Sequence, residues 1–130
     1  MRYLVLCTGN TCRSPMAAAM IRARRPNDTV KSAGFAADVG APAAANAVEA
    51  LREIGLDLSS HRAAQVTPEM CATADRVFVM TASHAYILGR MGVPADKISV
   101  LGIPDPFGGD LPVYREARDA IAAALDEVLT

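Results

Sequence analysis

The sequence has no tryptophan, and aromatic residues make up only 5% of its 130 positions. Aromatic stacking therefore cannot dominate the core, and alanine-rich helices are expected to carry much of the packing. Cysteine is scarce and odd in number, with three residues, which argues against a paired disulfide framework. No sign of charge prevails: the formal net charge is -1, so nothing in the balance steers the chain to nucleic acid or an anionic membrane. Long apolar runs are missing too. The N-terminal one, "YLVL" (3–6), is too short for a secretion signal or a membrane span. These absences lead to the expectation of a cytoplasmic protein with free thiols, no nucleic-acid partner and no membrane partner.

What is present is 52% hydrophobic and 21% charged residues, the balance of a globular chain. The length can support one real core. There is no repeat, low-complexity tract or dividing linker, so residues 1–130 are expected to form a single domain.

Strand and helix signals alternate. "YLVL" reads as a strand buried on both faces, and Ser14 and Pro15 read as the N-cap and first residue of a helix. Residues 29–34 form a second strand and residues 43–54 a helix with Val48, Leu51 and Ile54 inward and Gly55 as its stop. Thr67-Pro68-Glu69 opens a short helix, residues 76–80 a third strand, and residues 82–91 a helix ending at Gly92. Residues 97–101 make a fourth strand. Pro112 opens a last helix with Val113, Ala117, Ala120, Ile121, Ala124, Leu125 and Val128 as its apolar stripe. The pattern predicts an α/β fold: a small doubly wound four-stranded parallel sheet with helices on both faces. Such folds bind ligands at the carboxyl ends of their strands.

"CTGNTCRS" (7–14) begins at that edge. Gly9 and Asn10 tolerate positive φ, which lets the N–H groups of residues 8–12 turn inward as an anion nest. The following helix adds its positive dipole end. Arg13 offers a planar two-donor fork to phosphate oxygens. Cys7 at the base of this cradle would be surrounded by donors that favour its thiolate, the form that attacks phosphorus. Three other readings stand beside this one: a metal site of Cys7, Cys12 and Cys71, purely structural cysteines, or a loop that binds phosphate without chemistry.

A leaving group needs a general acid. "IPDPFGGD" follows the fourth strand, and Asp105 sits between Pro104 and Pro106 on a stiffened backbone. Asp110 is its rival, held more loosely by Gly108 and Gly109. His84 is expected on the surface without a role, and "RARRP" (22–26) as a solvated basic run compensating a helix end.

"VLCTGNTCRSPMA", "SAG" (32–34), "GLDLSSHRA" (55–63) and "IPDP" together resemble the low-molecular-weight protein-tyrosine phosphatase family over nearly the whole chain. The resemblance implies that Cys7 is the nucleophile and carries a phosphocysteine intermediate. It implies that Arg13 binds the phosphate and stabilises the transition state, and that Asp105 protonates the leaving group and then activates water. Ser14 would hydrogen-bond the Cys7 thiolate. Asn10 would hold the strained loop, helped by Ser32 and His61. No metal or cofactor is implied. Cys12 would trap oxidised Cys7 as a reversible disulfide.

Within this family, bulky apolar residues usually stand at position 11 in tyrosine-specific members, and two adjacent aromatics usually follow Asp-Pro. This chain has Thr11, and Phe107 followed by two glycines. That combination resembles the bacterial protein-arginine phosphatases. The expected function is hydrolysis of phosphoarginine on phosphorylated protein substrates by a monomer, with phosphotyrosine as the alternative. An arsenate reductase, which needs a relay of further cysteines, is the more distant one.

Overall fold

β1 (Arg2–Cys7) is buried from Tyr3 to Cys7, and its side chains divide between two cores. Tyr3, Val5 and Cys7 face the larger core, while Leu4 and Leu6 face the smaller one. A central strand covered on both sides needs an unbroken apolar run, which is why the alternation of a half-exposed strand is absent here. The computed structural model describes residues 1–129.

The other elements follow as α1 (Arg13–Arg24), β2 (Thr29–Gly34), α2 (Ala45–Arg52), α3 (Pro68–Thr73), β3 (Arg76–Val79), α4 (Ala82–Arg90), β4 (Ile98–Val100) and α5 (Leu111–Val128). All strand pairs are parallel, in the order β2-β1-β3-β4. Helices α1, α2 and α5 pack on the larger core; α3 and α4 cover the other face. The fold is therefore the expected doubly wound sheet. Its strand order reverses direction between β1 and β3, which opens a crevice at their carboxyl ends. Large side chains such as Leu4, Phe78, Met16 and Ile121 are wholly buried, each worth about 1.5–3 kcal/mol of transfer free energy.

The helix stops behave as the sequence suggests. At Gly55 and Gly92, with φ of 80° and 88°, the chain turns back so that Leu56 N–H reaches Leu51 O and Val93 N–H reaches Leu88 O. Thr67 accepts from Met70 N–H and caps α3.

Four expectations need correction. α1 starts at Arg13, not Pro15, and Ser14 does not cap it, because the Ser14 hydroxyl is used by the loop. α2 is shorter than residues 43–54, and the turn at Gly55 leaves Ile54 exposed. The inward stripe of α5 is Tyr114, Ala117, Ile121 and Leu125, with Val113 and Ala120 rotated outward. Finally, the basic run is not simply solvated. Arg22 donates to Val30 O at 2.9 Å, Arg24 to Asp126 at 2.6 Å, and Arg25 to Leu129 O, which ties the end of α1 to β2 and α5.

Candidate active site

The carboxyl ends of β1, β3 and β4 bring three connecting segments together. A cleft of about 220 Å³ opens there. Its floor is the loop after β1, with Cys7, Thr8, Gly9, Thr11, Cys12 and Arg13; Asp105 and Phe107 form the opposite wall. Among the described residues, no protein acceptor takes the backbone N–H groups of residues 8–12. They remain free to cradle an anion at the start of α1.

Asn10 holds this loop. It is the only non-glycine with positive φ among the described residues, at 56°, and it is fully buried. A left-handed residue other than glycine costs about 1–2 kcal/mol, so the surroundings must enforce it. They do so through both side-chain polar atoms and the carbonyl. Asn10 Nδ2 donates to Ser14 Oγ at 2.7 Å and to Ser32 Oγ at 3.0 Å, while Oδ1 accepts from Ala64 N–H at 2.9 Å. Its carbonyl accepts from His61 Nε2 at 2.7 Å, which fixes the proton of that ring on Nε2. Burial pushes His61 below its ordinary value, against the bond to Asn10, which favours the charged form. The irregular stretch between α2 and α3, which carries His61 and Ala64, is thus the loop's outer buttress. Gly9, by contrast, does not use a positive φ, contrary to expectation; Asn10 makes the turn alone.

Cys7 Sγ lies 2.9 Å from Ser14 Oγ, and both are buried. A thiolate has no proton, so with that form Ser14 is the donor. Arg13 is 3% exposed. One guanidinium nitrogen donates to Ile103 O at 2.9 Å, another lies 3.7 Å from Asp105 Oδ2, and Nε is buried with no partner. A buried guanidinium N–H without a partner beside a cradle of free N–H groups has the chemistry to receive an oxyanion.

Asp105 and Asp110 are separated by what they bind. Asp105 accepts from Phe107 N–H at 3.0 Å, and its other oxygen faces Arg13 across the cleft. Asp110 caps α5 by accepting from Val113 N–H. The loop between them is tighter than its two glycines suggest. Gly109 N–H bonds to Pro106 O at 2.8 Å, and a Cβ on Gly109 would meet Pro106 O and Val113 at 2.9 Å. Phe107 is 77% exposed at the rim.

Three residues at the site were not assigned from the sequence. His84, expected on the surface, is 7% exposed, and its Nε2 lies 3.0 Å from Thr8 Oγ1. Its position just after β3, on the ligand edge, was the available signal. Tyr114 reaches Cys12 Sγ at 3.3 Å; the apolar stripe read from the sequence had Val113 in its place, although helical spacing with Ala117 and Ile121 was the available signal. Burial pushes the Cys12 thiol up, opposed by the bonds from Tyr114 and Thr11. Gly34 is the third. A Cβ there would stand 2.6 Å from Thr8 O, so the loop can cross β2 only over a glycine.

Cys71 belongs to the other core from Cys7 and Cys12, and all three cysteines are free. Among the described residues, no cluster of three or more His, Cys, Asp or Glu is placed to hold a metal ion.

A thiol, an arginine and a carboxylate around an oxyanion cradle on this fold match one known pattern. The family model of low molecular weight phosphotyrosine protein phosphatases covers residues 2–130. The chain belongs to this family. A protein-arginine-phosphatase of Geobacillus stearothermophilus is 40% identical, over 98% of this chain and 93% of the relative. A probable low molecular weight protein-tyrosine-phosphatase, EpsP of Ralstonia nicotianae, is 38% identical, over 95% of this chain and 90% of its own. The crystal structure of the Erwinia amylovora tyrosine phosphatase AmsI superposes with a TM-score of 0.93 at 29% identity, covering 98% and 90% of the two chains. Relatives named for arginine and for tyrosine thus stand at nearly equal identity. The cleft carries two threonines, Thr8 and Thr11, on its floor and a single phenylalanine, Phe107, at its rim.

Proposed function

We propose that the protein is a phosphoprotein phosphatase that hydrolyses phosphoarginine through a phosphocysteine intermediate. The loop N–H groups and the Arg13 fork bind the phosphoryl oxygens. The Cys7 thiolate, held by Ser14, attacks phosphorus in line with the leaving group. As the N–P bond breaks, Asp105 gives its proton to the departing guanidine nitrogen. The resulting Asp105 carboxylate then takes a proton from water, which attacks the phosphocysteine. Inorganic phosphate leaves and the thiolate is restored. Arg13 follows the charge on the equatorial oxygens throughout.

The observation that carries the arginine reading is the cleft wall. Thr11 puts a small hydroxyl where the substrate side chain must pass, and Phe107 alone supplies an aromatic face. A planar guanidinium suits a polar wall with one ring to stack on. Cytoplasmic location belongs to the same reading.

The test is kcat/KM on matched phosphoarginine and phosphotyrosine peptides, for the parent and Thr11→Ile, with Cys7→Ser as blank. Preference for phosphoarginine in the parent, lost in Thr11→Ile, supports the reading. Preference of the parent for phosphotyrosine overturns it and makes Thr11 a neutral variation.

A further inference from the structure

We propose that His84 is a positioning residue that aims the Thr8 hydroxyl at the bound phosphoryl group, making Thr8 a side-chain donor to the oxyanion. The inference rests on the phosphate reading of the cleft given above.

The fold brings the two residues together. Thr8 is the first residue after β1, and His84 lies in the first turn of α4, just after β3. They face each other across the crevice where the strand order reverses. His84 Nε2 and Thr8 Oγ1 are 3.0 Å apart. The direction of this bond follows from the other ring nitrogen. Nδ1 is buried and has no partner. A proton on Nδ1 would leave a buried N–H without an acceptor, whereas an unused lone pair costs less. The proton therefore sits on Nε2, and His84 donates to Thr8.

That choice decides where the Thr8 proton goes. Its oxygen already accepts from His84, and among the described residues it has no other side-chain partner. Thr8 lines the cleft beside Cys7 and Arg13. The hydroxyl proton is free to turn into the space where the phosphoryl oxygens bind. The ring is held while this happens. Phe35 stacks on it with centroids 5.1 Å apart, and Phe35 N–H is bonded to Cys7 O. Burial and the charge of Arg13 both favour neutral His84, which keeps a second cation away from the arginine that binds the anion. His84 does not itself touch the substrate.

The experiment measures inorganic phosphate affinity by calorimetry for the parent, Thr8→Val, His84→Phe, His84→Gln and the Thr8→Val/His84→Phe pair, with thermal melts to confirm folding. Removing a donor to a charged group predicts binding weaker by roughly tenfold in Thr8→Val and in His84→Phe. The pair should bind no more weakly than Thr8→Val alone. His84→Gln, whose amide can still donate, should recover most of the loss. Phosphate affinity in His84→Phe equal to that of the parent overturns the proposal, and so do losses that multiply in the pair. Peptide turnover on the same samples separates the two ideas: a parent that binds phosphate through this pair but hydrolyses neither phosphopeptide overturns the phosphatase reading instead.

Discussion

Asn10 Nδ2 donates to the Ser14 hydroxyl across 2.7 Å, and Ser14 in turn stands 2.9 Å from the Cys7 sulfur. The residue that strains the loop thus also orients the donor to the proposed nucleophile. Loop shape and the hydrogen bond to the Cys7 sulfur are one device.

Ser14→Ala should therefore lower kcat by about 10- to 100-fold, the range for losing one hydrogen bond to a charged group. KM should change much less, because in the proposed mechanism Arg13 and the loop N–H groups still bind the phosphoryl oxygens. Steady-state kinetics on a phosphopeptide, with a melt to confirm folding, checks this. A rise in KM with unchanged kcat would show that Ser14 serves binding instead.

Gly34→Ala should be far more damaging than Gly9→Ala to stability. The new Cβ at position 34 would meet Thr8 O at 2.6 Å and Asn10 N at 3.0 Å, both backbone atoms that cannot step aside without moving the loop. Overpacking of this kind costs about 1–3 kcal/mol. At position 9 the nearest atom is Thr11 Oγ1 at 3.8 Å, an ordinary contact, so urea midpoints should separate the two variants clearly. Equal midpoints would mean that the loop can slide over β2.

The contiguous parts of this molecule were legible in its sequence, and the long-range ones were not. The loop from Cys7 to Ser14 carries its chemistry within eight residues, and β1 announces its two-sided burial by an unbroken apolar run. The turns at Gly55 and Gly92 are likewise local. His84 and Tyr114 became site residues only through partners 76 and 102 positions away. No periodicity encodes such a pairing. Gly34 was visible as part of a motif, but its reason is another segment's backbone passing over it. The basic run at the end of α1 failed for the same cause: its acceptors lie on β2 and α5.

Acid should destabilise the fold as the pH falls through the ordinary histidine range. Burial is the first cause holding both His61 and His84 below their usual value of 6.5. Between the folded and unfolded values the unfolded state binds more protons, so stability rises with pH there. Above that range both histidines are neutral in either state and nothing is lost. Within it, the unfolded chain takes protons that the folded one refuses, and below it both states are charged and the fall levels off. Urea midpoints at pH 7.5, 6.5 and 5.5 should fall in that order, and His61→Gln should flatten the fall. A slope as steep in the variant as in the parent would remove His61 from the explanation.

Peroxide should inactivate the enzyme reversibly, with Cys12 as the reason for recovery. Peroxide is expected to oxidise the Cys7 thiolate to a sulfenic acid, and attack by the Cys12 sulfur should then form a disulfide and release water. A dithiol reductant returns both thiols. Burial keeps Cys12 in its thiol form, and the Tyr114 hydroxyl at 3.3 Å works against that by favouring the thiolate. Tyr114→Phe removes the favourable bond and should slow disulfide formation, leaving more Cys7 open to irreversible oxidation. Cys12→Ser should lose the protection altogether. The measurement is activity recovered by dithiothreitol after a fixed peroxide exposure, expected in the order parent, Tyr114→Phe, Cys12→Ser. Full recovery in Cys12→Ser would show that the neighbouring thiol is a packing residue and that another reductive route rescues Cys7.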